Sequence, residues 1–138
     1  MAIVTEKFSI DTKGFTDIID ITPKVQSVVS MLNLDQAQVL VYVPGSTASI
    51  TTVEYEQGLL LDLPEAFEKF APVDKEYQHD MTWHDGNGYA HVRASIVGSS
   101  KYFPVMNSIL MLGTWQQIVL IDFDNRPRTR NIIVQVNY

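Results

Sequence analysis

The chain has 138 residues, of which 46% are hydrophobic and 19% charged, a composition typical of one globular domain rather than a disordered chain. Its net charge of −6 argues against nucleic-acid binding, and the absence of cysteine excludes disulfides, thiolate metal ligands and a cysteine nucleophile. The first ten residues lack a basic start followed by an apolar run, and no segment approaches the length of a membrane span. We therefore expect one cytoplasmic domain over residues 1–138, with no nucleic-acid or membrane partner.

The first half of the chain predicts strands and two helices. The segment "AIVTEKFSID" alternates apolar and polar residues, as a half-buried strand does. In "ITPKVQSVVSMLN" the proline suits a first helical turn and the apolar residues recur at helical spacing, which predicts a helix. Two strands are expected in "AQVLVYVP" and "STASITTVE", which are rich in β-forming residues. Pro64 is expected to begin a short second helix over 64–70.

The second half of the chain predicts strands joined by short turns. The predicted strands lie in "YAHVRASIVG", "KYFPVMNS", "ILML", "TWQQIVLIDF" and "RNIIVQVNY". On the first of these strands, His91, Arg93 and Ser95 would share one polar face. Short connections between many strands favour an α+β fold, so we expect a mainly antiparallel sheet or sandwich with two helices in the first half.

All three histidines of the chain lie between positions 79 and 91, around a Gly-Asn-Gly turn. The turn residues tolerate positive φ, and they would let His79 or His84 fold back towards His91. Two or three imidazoles with Asp80 or Asp85 suit zinc or another divalent cation, and they equally suit acid–base chemistry near neutral pH. The alternative is that these are histidines of a surface loop.

Two further segments suggest anion binding. Ser46 and Thr47 begin a run of hydroxyl side chains, which together with backbone amides can bind phosphate or carboxylate. Arg126, Arg128 and Arg130 alternate near the end of the chain, and arginine side chains match the geometry of phosphate oxygens. Simpler interpretations remain for both: threonine is common in strands, and charged hairpin loops keep sheet edges soluble.

Trp115 and Gln116 follow a Gly-Thr corner. The tryptophan is either part of the core or a stacking wall for a ring-shaped ligand.

Taken in order, these segments resemble a known family. The resemblance to the YjbQ-like family extends over nearly the whole chain and is carried by "STASITTVE", "EYQHD", "GNGYAHVRASIVGSS", "LGTWQQIVLIDFD" and "PRTR". It implies a compact α+β fold built on an antiparallel sheet, and a homotrimer. It also implies an activity described for the family as secondary thiamine-phosphate synthase, in which a hydroxymethylpyrimidine diphosphate is joined to a thiazole phosphate with loss of diphosphate.

The resemblance also implies roles for individual positions. The family's shared polar residues fall on Glu54, His79, Asp80, His91, Trp115, Gln116, Arg128 and Arg130. We expect catalysis from His79, His91, Glu54 and Asp80. Binding of a small phosphorylated metabolite is expected from Ser46, Thr47, Trp115, Gln116, Arg128 and Arg130. His79 and His91, with His84, are the expected ligands of a divalent metal such as zinc, magnesium or manganese.

One position departs from the family pattern. The family usually has a histidine at the head of its Ser/Thr strand, where this chain has Gly45. If that histidine were a metal ligand, His84 would be its candidate replacement. The alternative function is a homotrimer that binds a metal or an anion without catalysis.

Overall fold

Two antiparallel sheets organise the chain, and the computed structural model describes all 138 residues. The strands are β1 (Ile3–Thr12), β2 (Asp17–Asp20), β3 (Gln36–Tyr42), β4 (Ala48–Val53), β5 (Ser100–Met106), β6 (Ile109–Leu110), β7 (Gln117–Asp122) and β8 (Arg128–Asn137). The five-stranded sheet has the order β1-β8-β3-β5-β6, and the three-stranded sheet has the order β2-β7-β4. The predicted α+β class with antiparallel sheets is confirmed.

Four helices accompany the sheets: α1 (Thr22–Leu32), α2 (Gln57–Phe70), α3 (Gln78–Trp83) and α4 (Gly88–Val97). The first is the helix that the sequence predicts, and three of its valines are buried. None of the four combines the length and the apolar character that a membrane span requires.

The three-stranded sheet separates two hydrophobic cores. In β7, Ile118 and Leu120 pack with α1 and the larger sheet in a cluster of 17 buried residues. Val119 and Ile121 alternate with them and belong to a second cluster of 9 residues, which includes Phe67 of α2 and several residues of α4. Because successive strand residues point to opposite faces, β7 is buried on both sides. The smaller sheet is therefore a middle layer, with α2 and α4 on its outer face.

Two predictions about helices were wrong. The segment predicted as the strand "YAHVRASIVG" is helix α4, and α3 precedes it where no helix was expected. Tyr89, Ala90, Arg93 and Ala94 are the buried face of α4, at spacings of one, three and four residues, which is a helical pattern. The chain thus has four helices, two of them beyond its midpoint.

The second predicted helix begins earlier than expected. α2 starts at Gln57, and Pro64 lies inside it rather than at its start. The carboxylate of Glu56 accepts hydrogen bonds from the backbone N–H groups of Gly58 and Leu59, which satisfies donors at the helix N-terminus. This cap stabilises a helix start seven residues before the proline.

Candidate metal centre

The junction of α3 and α4 brings His79 and His91 together. Asp80 Oδ1 accepts a hydrogen bond from the backbone N–H of Gly88 at 3.0 Å, which ties α3 to the first residue of α4. Gly88 is required for this approach, because a Cβ atom there would lie 2.6 Å from Cγ of Tyr77. One helical turn beyond Gly88, the ring of His91 has its centroid 4.3 Å from that of His79. The expected proximity is present, but helix packing rather than a polar strand face produces it.

Asp85 completes a cluster of three metal-ligating side chains. One ligand atom from each of His79, Asp85 and His91 lies within 4.8 Å of the others. Asp85 Oδ1 is 3.2 Å from His79 Nε2, with the two side chains 43% and 29% exposed. Donors about 2.1 Å from a tetrahedral zinc ion are roughly 3.4 Å apart, so the observed set needs to close by only about an ångström.

The loop before α4 fixes Asp85 and keeps it ionised. The backbone N–H of Asn87 donates to Asp85 Oδ1 at 3.1 Å, and the side chain of Asn125 donates to the Asp85 carbonyl at 2.7 Å. The hydrogen bond from Asn87 is the main reason that the pKa of Asp85 lies below its ordinary value; partial burial opposes it, and His79 adds to it. A metal ligand must be deprotonated, so this environment suits cation binding.

His84 and Asp80 are not brought into this cluster. His84 ends α3 in the left-handed conformation, with φ of 55°, and its side chain lines a neighbouring cavity of about 350 Å³. The expected third ligand is therefore Asp85 rather than His84. The Asp80 carboxylate serves the start of α4 through the hydrogen bond to Gly88.

Arg93, expected on an exposed polar face with His91, is instead buried. Its guanidinium donates to the Ala71 carbonyl at 2.9 Å, to Thr16 at 2.8 Å and to Glu68 at 2.7 Å. These contacts anchor α4 to the end of α2, so Arg93 has a structural role.

Arg128 and Arg130 lie in a second polar cluster, together with two buried aspartates that the sequence analysis overlooked. Arg130 makes two parallel hydrogen bonds to Asp122, Nε to Oδ2 at 2.7 Å and Nη2 to Oδ1 at 2.9 Å. Arg128 donates to Asp124 at 2.9 Å. Neither arginine lines the cavity that contains His79 and His91. Because each arginine is already paired with an aspartate, it attracts a phosphate less strongly than the sequence suggested.

Thr47 belongs to this second cluster, whereas Ser46 faces a different cavity. Thr47 donates to Asp124 at 2.9 Å and accepts from Arg130 at 2.7 Å. Gly45 and Ser46 line a cavity of about 270 Å³ together with residues from the C-terminal end of α4. A Cβ atom at Gly45 would lie 3.1 Å from Nη1 of Arg130, and the glycine has φ of 120°. Within one chain, position 45 adjoins the arginine rather than the two histidines.

Asn87 joins the two polar clusters. Its side-chain amide donates to Asp124 Oδ1 at 3.3 Å and accepts from the backbone N–H of Asn125 at 2.9 Å, while its own backbone holds Asp85. Burial raises the pKa of Asp124, but hydrogen bonds from Arg128, Thr47 and Asn87 outweigh it and leave that pKa below its ordinary value. No sequence signal marked Asn87 beyond its place in the glycine turn.

Glu54 and Trp115 come together at a third location. They line a cavity of about 330 Å³ with Asp20, Tyr55 and other residues. Trp115 is 71% exposed, so it is not a core residue. Gln116 donates to Thr52 and accepts from Gly113, which braces the turn before β7. The structure therefore distributes the expected site residues over several separate places.

Comparison with known proteins places this chain in one family. The fold and the candidate centre define a small two-sheet α+β protein with histidines and an aspartate between two short helices. The chain belongs to the family described as UPF0047 protein YjbQ-like, whose model matches residues 6–138.

Individual relatives agree with the family match. A UPF0047 protein of Archaeoglobus fulgidus is 40% identical over 129 residues, which cover 94% of this chain and 98% of the relative. The UPF0047 protein YugU of Bacillus subtilis is 34% identical, over 92% of this chain and 94% of its own length. A crystal structure from Sulfolobus solfataricus, described as a YbjQ-like protein of unknown function, superposes with a TM-score of 0.92 at 29% identity, covering 98% of this chain and 96% of that one.

Proposed function

We propose that the chain binds a divalent metal ion through His79, Asp85 and His91 and uses it to act on a small phosphorylated metabolite. The observation that carries this proposal is the convergence of three ligand atoms within 4.8 Å of one another, at the edge of an accessible cavity. Two imidazoles and a carboxylate are a donor set that suits zinc and manganese, and they leave coordination positions for water or substrate oxygen.

The reaction implied by the family resemblance is compatible with such a site. Joining a pyrimidine diphosphate to a thiazole phosphate releases diphosphate, and a divalent cation stabilises negative charge that develops on phosphoryl oxygens. The chain itself holds Asp85 ionised and keeps the two imidazoles side by side. Arg128 and Arg130 pair with Asp124 and Asp122, and the proposed metal centre does not depend on them.

Metal titration of three purified proteins tests this proposal. Loss of a second-shell group typically lowers metal affinity about 10–100-fold, so removal of a direct ligand in His91→Ala should lower affinity for Mn²⁺ by about 100-fold or more. His84→Asn is the matched control, because it removes an imidazole outside the cluster and asparagine tolerates a positive φ. We expect calorimetry to find its affinity within about twofold of the unmodified chain, since no ligand is lost. Equal affinities for all three proteins would rule out this metal centre.

A further inference from the structure

One free cation shares a cavity with the two histidines. The cavity has a volume of about 500 Å³, and Lys75 lines it together with Tyr77, His79, His91 and other residues. Lys75 makes no ion pair, although Glu76 is its neighbour in the chain. It is therefore a cation beside the candidate metal centre whose charge is not neutralised by a carboxylate.

The position of Lys75 is defined by an aromatic ring. Its Nζ lies 5.0 Å from the centroid of Tyr77, a distance typical of a cation–π contact. Tyr77 is itself fixed, because its side chain is buried and its hydroxyl donates to the Pro72 carbonyl at 2.7 Å. A lysine held in this way keeps three N–H donors and loses less conformational freedom when it binds an anion.

The charges around the cavity decide when an anion can bind there. Asp80, Asp85 and Glu76 carry negative charge around the cavity and only Lys75 carries positive charge, so the carboxylates leave a negative excess that repels an anion. A divalent cation at the histidines offsets this excess and can coordinate a phosphoryl oxygen directly. Anion binding is then expected to require the metal.

We infer that Lys75 and the metal bind one phosphoryl group between them, so that soluble phosphate monoesters bind only to the metal-loaded chain. This inference rests on the proposed metal centre and adds the residue that recognises the phosphate. Metal and anion binding are consequently coupled, and each raises the affinity for the other by the same factor.

Calorimetric titration with methyl phosphate tests the inference. The Mn²⁺-loaded chain should bind methyl phosphate, and the metal-free chain should show no binding over the same concentration range. Lys75→Gln in the Mn²⁺-loaded state should bind it about tenfold more weakly or worse, because a charge-assisted hydrogen bond is lost. Lys101→Gln is the control: it removes the same charge from an exposed strand residue that lines none of these cavities, and it should bind as the unmodified chain does. Thermal unfolding checks that each variant is folded.

The possible outcomes separate this inference from the proposed function. If Mn²⁺ does not bind to the unmodified chain, the metal centre itself is wrong. If Mn²⁺ binds equally to all variants, the metal centre stands. The role of Lys75 is then overturned if methyl phosphate binds equally to Lys75→Gln, and the coupling to the metal is overturned if methyl phosphate binds without metal.

Vesicles of phosphatidylcholine with phosphatidic acid carry the same monoester on a membrane. Lys75-dependent sedimentation with these vesicles, without methyl phosphate binding, would overturn the assignment to a soluble ester.

Discussion

Two polar clusters lie on either side of Asn87, and they differ in how their charges are matched. In the strand cluster, Asp122 and Asp124 are buried, and each is paired with an arginine. In the helix cluster, His79 and Asp85 are partly exposed, and the carboxylate of Asp85 faces an imidazole rather than a permanently charged guanidinium. In the strand cluster each carboxylate is paired within the fold, although Arg128 Nε is buried without a partner, whereas the ligand atoms of the helix cluster lie beside an accessible cavity.

The difference separates charged side chains that are paired within the fold from side chains that keep unused ligand atoms. Arg128 and Arg130 look like phosphate ligands in the sequence, yet each is paired with a buried aspartate, and Arg130 also donates to Thr47. The histidines have a weaker sequence signal, yet they retain unused ligand atoms at an accessible cavity. A charged side chain is therefore better judged by the contacts it still lacks than by its residue type.

The largest expected effect comes from breaking the strand cluster. Asp122→Asn removes the carboxylate that Arg130, whose side chain is 11% exposed, contacts at 2.7 Å, and leaves it only the more distant Asp124 at 3.8 Å. Removing one member of a buried ion pair costs about 3–5 kcal/mol, so urea unfolding should show a loss of stability of that size. Glu65→Gln is the control, since it removes one member of an exposed pair with Lys69 and should cost less than about 0.5 kcal/mol. Similar losses in both variants would contradict the structural role of Asp122.

A smaller effect is expected from separating the helices of the metal centre. Gly88→Ala places a Cβ atom against the side chain of Tyr77, and α4 must shift to accommodate it. Overpacking of this kind costs about 1–3 kcal/mol. Because His91 moves with α4, affinity for Mn²⁺ should fall along with the melting temperature. Gly113→Ala is the matched control, since its new Cβ atom would make only ordinary contacts with Gln116. Undiminished Mn²⁺ affinity in Gly88→Ala would show that the close helix contact does not set the ligand geometry.

Asn87→Ala tests whether the two clusters are connected. The substitution leaves the backbone N–H of Asn125 without its acceptor and removes a donor to Asp124. Unsatisfied buried groups cost about 1–3 kcal/mol. The backbone N–H of residue 87 still donates to Asp85, but Asn125, whose side chain holds the Asp85 carbonyl, loses its own anchor, so metal affinity should fall by about tenfold. Asn131→Ala, which removes only an exposed hydrogen bond to Ser9, is the control. A change in stability without a change in metal affinity would show that the clusters are independent.

The mildest expected effect is the acid dependence of stability. The pKa of Asp124 is lower in the folded chain than its ordinary value, so the folded state favours the ionised carboxylate. Its contribution to stability is present above the unfolded pKa of about 3.9 and is lost as pH falls through the lower folded value. Urea unfolding between about pH 6 and about pH 3 should show a shallower loss of stability in Asp124→Asn than in the unmodified chain. Equal slopes would exclude this contribution.

The sequence predicts most of the strands, but not β2, and it predicts α1, because these patterns are local. Buried valines at helical spacing identify α1, and the β-rich run of residues 117–122 becomes β7. The helix α4 was missed because its pattern is misleading: Arg93 is buried and Ile96 is exposed, the reverse of the usual preference. The burial of Arg93 is explained only by its tertiary contacts with Glu68 and Ala71.

The candidate site was predictable in part. The histidines are close in sequence and flank glycines, so their meeting could be inferred from residue types alone. The choice of Asp85 over His84 as third ligand depends on the left-handed end of α3, which a sequence does not specify. The neutralisation of Arg130 by Asp122 depends on strand pairing and packing that only the folded chain establishes.

The pairing of β1 with β8 has a consequence for how the chain acquires its fold. Ile3 is paired with Asn137 and Thr12 with Arg128, so this ladder joins segments that are far apart in the chain. β8 also pairs with β3 and thereby holds the centre of the larger sheet. During synthesis, the emerging chain must wait for β8 before β1 can find its partner, and long-range pairing of this kind slows folding. Until β8 is made, both edges of β1 are unpaired, so the growing chain is exposed to aggregation in that interval.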